Sequence, residues 1–263
     1  MRILTVIFTL FFVSFGLNAA FLQLPTSAEI AACSNIAILG SGPATIFYNP
    51  ALFSENTSFS TSFHTLFSIS GLSHKNICGN FNLKKLNFAL GLQDFGNDLY
   101  KEQTVIVSSN YKVIHNLTIG LSARYLKKTV THFSNSATMQ FDLGANAKFG
   151  RFQIFSSFLN FTFMDLEGET LPMENRTGIC YNHSEKLKIA TSVVKELDYP
   201  FSIHFGVSYS PIKRVWLLSG FQNEPDVFSA GIKLNLFHFN FSYGIKTYKI
   251  LNPTHYISIS YDF

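Results

Sequence analysis

Charge is what this chain has least of. Asp, Glu, Lys and Arg make up 14% of its 263 residues, where soluble globular proteins carry about 25%. Its 20 basic and 16 acidic residues leave a formal charge of +4, spread along the sequence. Lys84-Lys85 and Lys127-Lys128 begin no basic run and read as solvated strand ends. Without a basic patch there is no electrostatic footprint for a nucleic-acid partner. Cysteine is scarce too. Three residues, Cys33, Cys78 and Cys180, form neither a disulfide framework nor a zinc motif; a single bonded pair, such as Cys33 with Cys78, is left open. The 8 histidines are dispersed with no His-x-His or His-x-x-x-His pair, which argues against a metal centre. His183-Ser184 has no triad motif around it, so no catalytic residue and no cofactor is expected, and the chain does not read as an enzyme. Asp165, Glu167, Glu169 and Glu174 are carboxylates of the kind calcium takes, but their crowding suits a solvated outer loop better. Beyond residue 20 no uncharged apolar run approaches the roughly 20 residues of a spanning helix.

What is present is apolar and aromatic. Hydrophobic residues make up 47% of the chain, and Phe alone contributes 29. They recur at period 2, the repeat of a β-strand with one greasy face. Tyr256 to Phe263 alternates throughout: Ile257, Ile259, Tyr261 and Phe263 share one face, with Ser258, Ser260 and Asp262 opposite. From about residue 57 onward, segments of this kind number about 14. Leu86-Phe88-Leu90-Leu92, Leu117-Ile119-Leu121-Tyr125 and Phe239-Phe241-Tyr243-Ile245 are among the clearest. The segment from Phe152 to Phe161 is apolar on both faces, so its register is unreadable.

The links between segments alternate in length. Short ones fall near Ile114-His115-Asn116, Phe149-Gly150-Arg151, Ser184-Glu185-Lys186, Ser210-Pro211-Ile212 and Leu236-Phe237. Longer, more polar ones fall at 93–101, 128–136, 162–175, 222–226 and 249–254. Membrane-spanning barrels alternate short turns with longer outer loops in this way, and a closed barrel pairs every backbone group while its apolar face meets lipid. The expected fold is therefore all-β: a transmembrane antiparallel β-barrel of about 14 strands. Strands about 4.8 Å apart and tilted about 40° give a diameter near 28 Å, too wide for side chains alone to fill.

The N-terminal part supplies a leader and a plug. Arg2, a short apolar core and Leu17-Asn18-Ala19-Ala20 read as a secretory signal peptide over residues 1–20. Residues 21–55 lack strand alternation. Thr26 to Ala32 is expected to form a short helix after Pro25, capped by Ser27 or Thr26, and Gly40-Ser41-Gly42-Pro43 is a turn cluster. Proline restricts Asn49 to extended geometry, and the Asn side chain holds a turn.

Phe-Leu-x-Leu-Pro-Thr-Ser-Ala from Phe21, followed by Ser-Gly-Pro-Ala-Thr-Ile-Phe-Tyr-Asn-Pro-Ala from Ser41, resembles the start of PorV/PorQ proteins. These are similar to the FadL-like superfamily of long-chain fatty-acid transporters, and the terminal Phe resembles the end of bacterial outer-membrane barrels. The resemblance implies a 14-stranded barrel over residues 56–263, closed by a small N-terminal hatch in the lumen over residues 21–55. Asn49, Pro50 and Ala51 match the family's hatch motif and are implied as its ligand-responsive gating element. Glu29-Ile30-Ala31-Ala32-Cys33-Ser34 departs from the glycine-rich stretch usual there. The implied setting is a monomer among lipids of the bacterial outer membrane. The implied function is passive uptake of a hydrophobic small molecule such as a fatty acid. The alternative is a non-transporting component of a secretion or cell-surface apparatus, with machinery proteins as partners.

Overall fold

The structure, a computed structural model, describes residues 20–83, 86–197 and 199–263. The expected leader (apart from Ala20) and the Lys84-Lys85 pair thus lie outside the described residues.

Among the described residues, sixteen strands follow in chain order. They are β1 (Ser58–Thr65), β2 (Ser73–Leu83), β3 (Leu86–Gly96), β4 (Tyr100–Ile114), β5 (Leu117–Val130), β6 (Ser134–Phe149), β7 (Phe152–Leu159), β8 (Asp165–Leu166), β9 (Glu169–Thr170), β10 (Glu174–Ser184), β11 (Leu187–Glu196), β12 (Ser202–Ile212), β13 (Val215–Gln222), β14 (Val227–Leu236), β15 (Phe239–Tyr248) and β16 (Thr254–Asp262). Fourteen of them close an antiparallel barrel, and β8 and β9 form a separate small hairpin inside the link between β7 and β10. The barrel closes where β1 meets β16, with Phe63 opposite Ile257 and Ser60 opposite Ser260. No open edge remains on the ring, so backbone groups are paired in the ladder.

The alternation read from sequence sets the two faces. In β1, Ser58, Ser60, Ser62 and His64 are buried inside while Phe59, Thr61 and Phe63 point outward. The same split holds in β16, where Tyr256, Ser258 and Ser260 face in and Ile257 and Ile259 face out. This is the reverse of a soluble sheet, whose apolar face is the buried one. β7 is the exception that made its sequence ambiguous. Phe155 and Leu159 turn inward and are buried, because on this strand the inner face also meets apolar groups.

One end of the barrel carries tight turns, including residues 115–116, 150–151 and 185–186. Gly150, Arg214 and Phe237 take positive φ there, as the backbone of short hairpin turns requires. One expected turn is displaced. Ser210-Pro211-Ile212 belongs to β12, and the reversal falls at Lys213-Arg214. Pro211 has no N–H to offer, and the ladder shifts register between Tyr209 and Ile212 to accommodate it. At the other end, two expected loops are mostly strand. The ladder continues through Gly96 and from Tyr100, and through Val130 and from Ser134, so the links there are residues 97–99 and 131–133. Polar composition marks where the apolar band ends in these strands, while backbone pairing carries on past it.

Candidate functional site: the occupied lumen

Residues 25–53 are almost entirely buried, and their partners are inward-facing groups of the wall. After Pro25 the chain forms helix α1 (Ala28–Ala32), whose N-cap is Ser27: its Oγ accepts from the Ile30 N–H at 3.2 Å. Three alanines in five residues leave the helix slim enough to lie against β14, β15 and β16. The Ala28 N–H donates to Ser258 Oγ at 3.1 Å.

Charge fastens this segment at three places. Glu29 accepts from Lys233 Nζ at 3.1 Å, from Ser41 Oγ at 2.9 Å and from Ser242 Oγ at 3.2 Å. The bend at Ser34-Asn35 has positive φ at both residues and is held from three strands. His204 Nδ1 lies 2.5 Å from the Ser34 carbonyl, Arg176 donates to the Asn35 carbonyl at 2.8 Å, and Lys246 donates to Asn35 Oδ1 at 2.7 Å. Arg124 donates to the Phe47 carbonyl at 2.8 Å and to Asp142 Oδ2 at 2.5 Å. Of these groups Glu29, Arg124 and Arg176 each face an opposite charge, in Lys233, Asp142 and Glu174, which lets them be charged this far from water at tolerable cost.

Asn49, Pro50 and Ala51 sit together against β5, β6 and β7. Asn49 Nδ2 donates to the Ser156 carbonyl at 2.9 Å and to the Ala145 carbonyl at 3.3 Å, while its Oδ1 accepts from the Ala51 N–H at 2.8 Å. The wall makes room with glycine. A Cβ on Gly144 would strike Asn49 Oδ1 and come within 2.8 Å of Pro50 Cδ, and one on Gly120 would lie 2.6 Å from the Ala51 nitrogen.

Two expectations about charged residues change. Glu174, read as part of a solvated loop, is a buried residue opening β10 and accepts from Arg176 Nε at 2.9 Å. Lys128, read as a solvated strand end, is turned inward and buried, 3.9 Å from Glu167. Both alternate with outward residues on their strands, and strand parity outweighs the preference of charge for water.

Between the segment and the wall runs an apolar seam. Ile30, Ile46, Phe47, Phe53 and Ile106 form one part of it, and Cys33, Ile36, Leu39, Phe155 and Leu218 another. Near the loop end, Leu126, Leu166 and Leu171 pack with Phe21. A polar cavity of about 50 Å³ lies there among Gln23, His74, Glu102 and Arg124. At the turn end a larger one, about 680 Å³, is lined by Phe53, Asn87, Asn110, Lys112 and Asn146. Residues 25–53 occupy the lumen between them.

All three cysteines are buried and free, so the Cys33–Cys78 bond is not formed. Burial, and then the nearby Glu29 carboxylate, push the Cys33 thiol well above its ordinary range. Among the described residues no three metal-ligating side chains converge. His64 and His74 do face each other across β1 and β2, ring centroids 4.7 Å apart. A search for spacing within one strand overlooks such cross-strand neighbours; the hairpin register reveals them. Arg124 and Asp142 lie 18 residues apart in sequence and meet only through the pairing of β5 with β6, although each carries its charge on the polar face of its strand.

No family model matches the chain, and no curated protein matches it. Solved structures do. The CymD monoaromatic hydrocarbon channel is similar over 93% of this chain and 99% of its own, at 12% identity and a TM-score of 0.71. The P. putida toluene transporter TodX is similar over 90% and 99%, at 11% identity and a TM-score of 0.69. A Pseudomonas aeruginosa FadL homologue is similar over 93% and 100%, at 10% identity and a TM-score of 0.68. At these identities the likeness is one of fold, a closed 14-strand barrel like those of FadL-family transporters.

Proposed function

We propose that this chain is a bacterial outer-membrane barrel for passive uptake of a hydrophobic small molecule, gated by residues 21–55 acting as a hatch. The observation that carries this reading is the apolar seam inside an otherwise polar barrel. Ile106, Phe155 and Leu218 have no reason to be apolar on a water-filled wall, and withdrawing the segment from the wall would leave a greasy track between the two cavities. The segment is held by hydrogen bonds and ion pairs rather than by a disulfide, so it is releasable. Asn49, Pro50 and Ala51 are its pin, seated on Gly120 and Gly144. The outward Phe, Leu and Ile side chains suit a lipid environment, and the barrel acts as a monomer, its lumen being filled by its own chain. The fold of CymD and TodX, named as a hydrocarbon channel and a toluene transporter, supports the same reading.

A PorV/PorQ-like docking role is the second reading. It draws on the strands that run past the apolar band and on the bare tips Leu99 and Phe133, which are 69% and 88% exposed. Flux of a hydrophobic dye into liposomes holding the purified protein tests the first reading, and wild-type flux no faster than that of empty liposomes overturns it. Native mass spectrometry of the extracted protein separates the two: a bound lipid or fatty acid supports uptake, and a stoichiometric protein partner supports docking.

A further inference from the structure

The outer wall of β1 to β5 changes character along one line. Thr61, Ile77, Leu92, Val105 and Tyr125 are register partners in turn and form a mostly apolar row on the outside. One step nearer the loop end, the partners are Phe63 on β1 and then Lys75, Asp94, Gln103 and Lys127. On β2 to β5 the apolar band ends between these rows, although the strands continue. Straddling the line is a groove of about 500 Å³, floored by Ile77, Leu92, Val105 and Tyr125 and flanked by Lys75 and Lys127. A second recess of about 230 Å³ adjoins it, sharing Lys75 and Asp94 and adding Lys101 and Asp98.

The charges are unequal across this line. Lys101 pairs with Asp94 at 3.7 Å, and Asp98 lies farther up, in the turn beyond β3. Among the described residues neither Lys75 nor Lys127 forms an ion pair. Two lysines outside any ion pair therefore stand at the edge of an apolar groove, on backbones three strand spacings or about 14 Å apart.

We infer that this groove holds a lipid with a doubly phosphorylated sugar headgroup, its acyl chain lying over Ile77, Leu92 and Val105 and one phosphate meeting each lysine. A lysine at a lipid boundary keeps its ammonium at headgroup level while its stem lies on apolar surface, and ammonium–phosphate contacts are charge-assisted. Two phosphates at opposite ends of a disaccharide match two lysines whose backbones stand three strand spacings apart, one phosphate to each, with no need for the side chains to converge. The inference rests on the membrane reading proposed above and on the loop end facing outward.

Native mass spectrometry of the full chain in dodecyl maltoside, titrated with lipid A and separately with phosphatidylglycerol, tests it. Wild-type protein should retain lipid A in preference to phosphatidylglycerol. The Lys75→Ala/Lys127→Ala variant should lose that preference, with lipid A binding weakened at least about tenfold. Lys213→Ala, at the turn end, should bind as wild type. Equal retention of the two lipids, or an unaltered double variant, overturns the site while the barrel itself stands. A chain that stays monodisperse with no detergent overturns the membrane reading, and the site with it.

Discussion

Arg124 and Asp142 form an ion pair inside the barrel, with Nε 2.5 Å from Oδ2 and side chains 6% and 0% exposed. The pair joins β5 to β6, and through the Phe47 carbonyl it also joins the wall to the segment in the lumen. One guanidinium thus serves two kinds of contact, and its loss should be felt by both.

Replacing Arg124 with Ala leaves Asp142 buried with only the Asn160 N–H and a long contact to Gln140. Breaking one side of a buried pair costs about 3–5 kcal/mol. The expected result is an earlier urea midpoint in detergent, followed through the single Trp, Trp216, which packs on the apolar seam. Arg124→Ala with Asp142→Ala should recover part of that loss, since no uncompensated charge then remains.

Gly144→Ala and Gly120→Ala drive a methyl group into Asn49 and Pro50. Overpacking of this kind costs about 1–3 kcal/mol, and the segment can relieve it by backing away from the wall. Each variant is expected to raise dye flux into liposomes while the barrel still migrates as a folded species on an unheated gel.

Asn49→Ala removes the donor that serves the Ser156 and Ala145 carbonyls and the acceptor of the Ala51 N–H. Leaving such groups unmet costs about 1–3 kcal/mol. Pro50→Ala acts more gently, by about 0.4–1 kcal/mol, through freedom restored to the unfolded chain. Both should speed flux, Asn49→Ala more; flux equal to wild type in the two variants would remove the gating role from this motif.

Cys33 and Cys78 are 0% and 3% exposed and unbonded. A water-soluble maleimide should leave both unmodified in the folded protein and label them after unfolding, with or without prior reduction. Mass spectrometry reads the outcome, and labelling at Cys33 in the folded state would mean that the lumen segment opens spontaneously.

Much of the barrel was legible because strand parity is a local property. Each of the fourteen alternating segments read from sequence corresponds to a wall strand, including the ambiguous one that became β7. The Ser27 cap and the helix after Pro25 were legible for the same reason, since a cap bonds three residues ahead. Loop lengths were less so. Asp94 and Lys101 read as loop by polarity, yet their backbone stays in the ladder because pairing with a neighbouring strand is indifferent to whether lipid or water lies outside. Pro211 misled for a related reason, a bulge having absorbed the missing donor.

The amino-acid order alone determined which residues face outward on the clearly alternating strands, that about fourteen strands are present and where the tight turns lie, because these follow from period 2 and from chain reversals a few residues long. Only the tertiary structure decided what meets in the interior. Asn49 finds Ser156, and Glu29 finds Lys233, across 107 and 204 residues. Such pairs depend on barrel closure and ladder register, which sum over all fourteen strands and leave no trace in any local stretch of sequence.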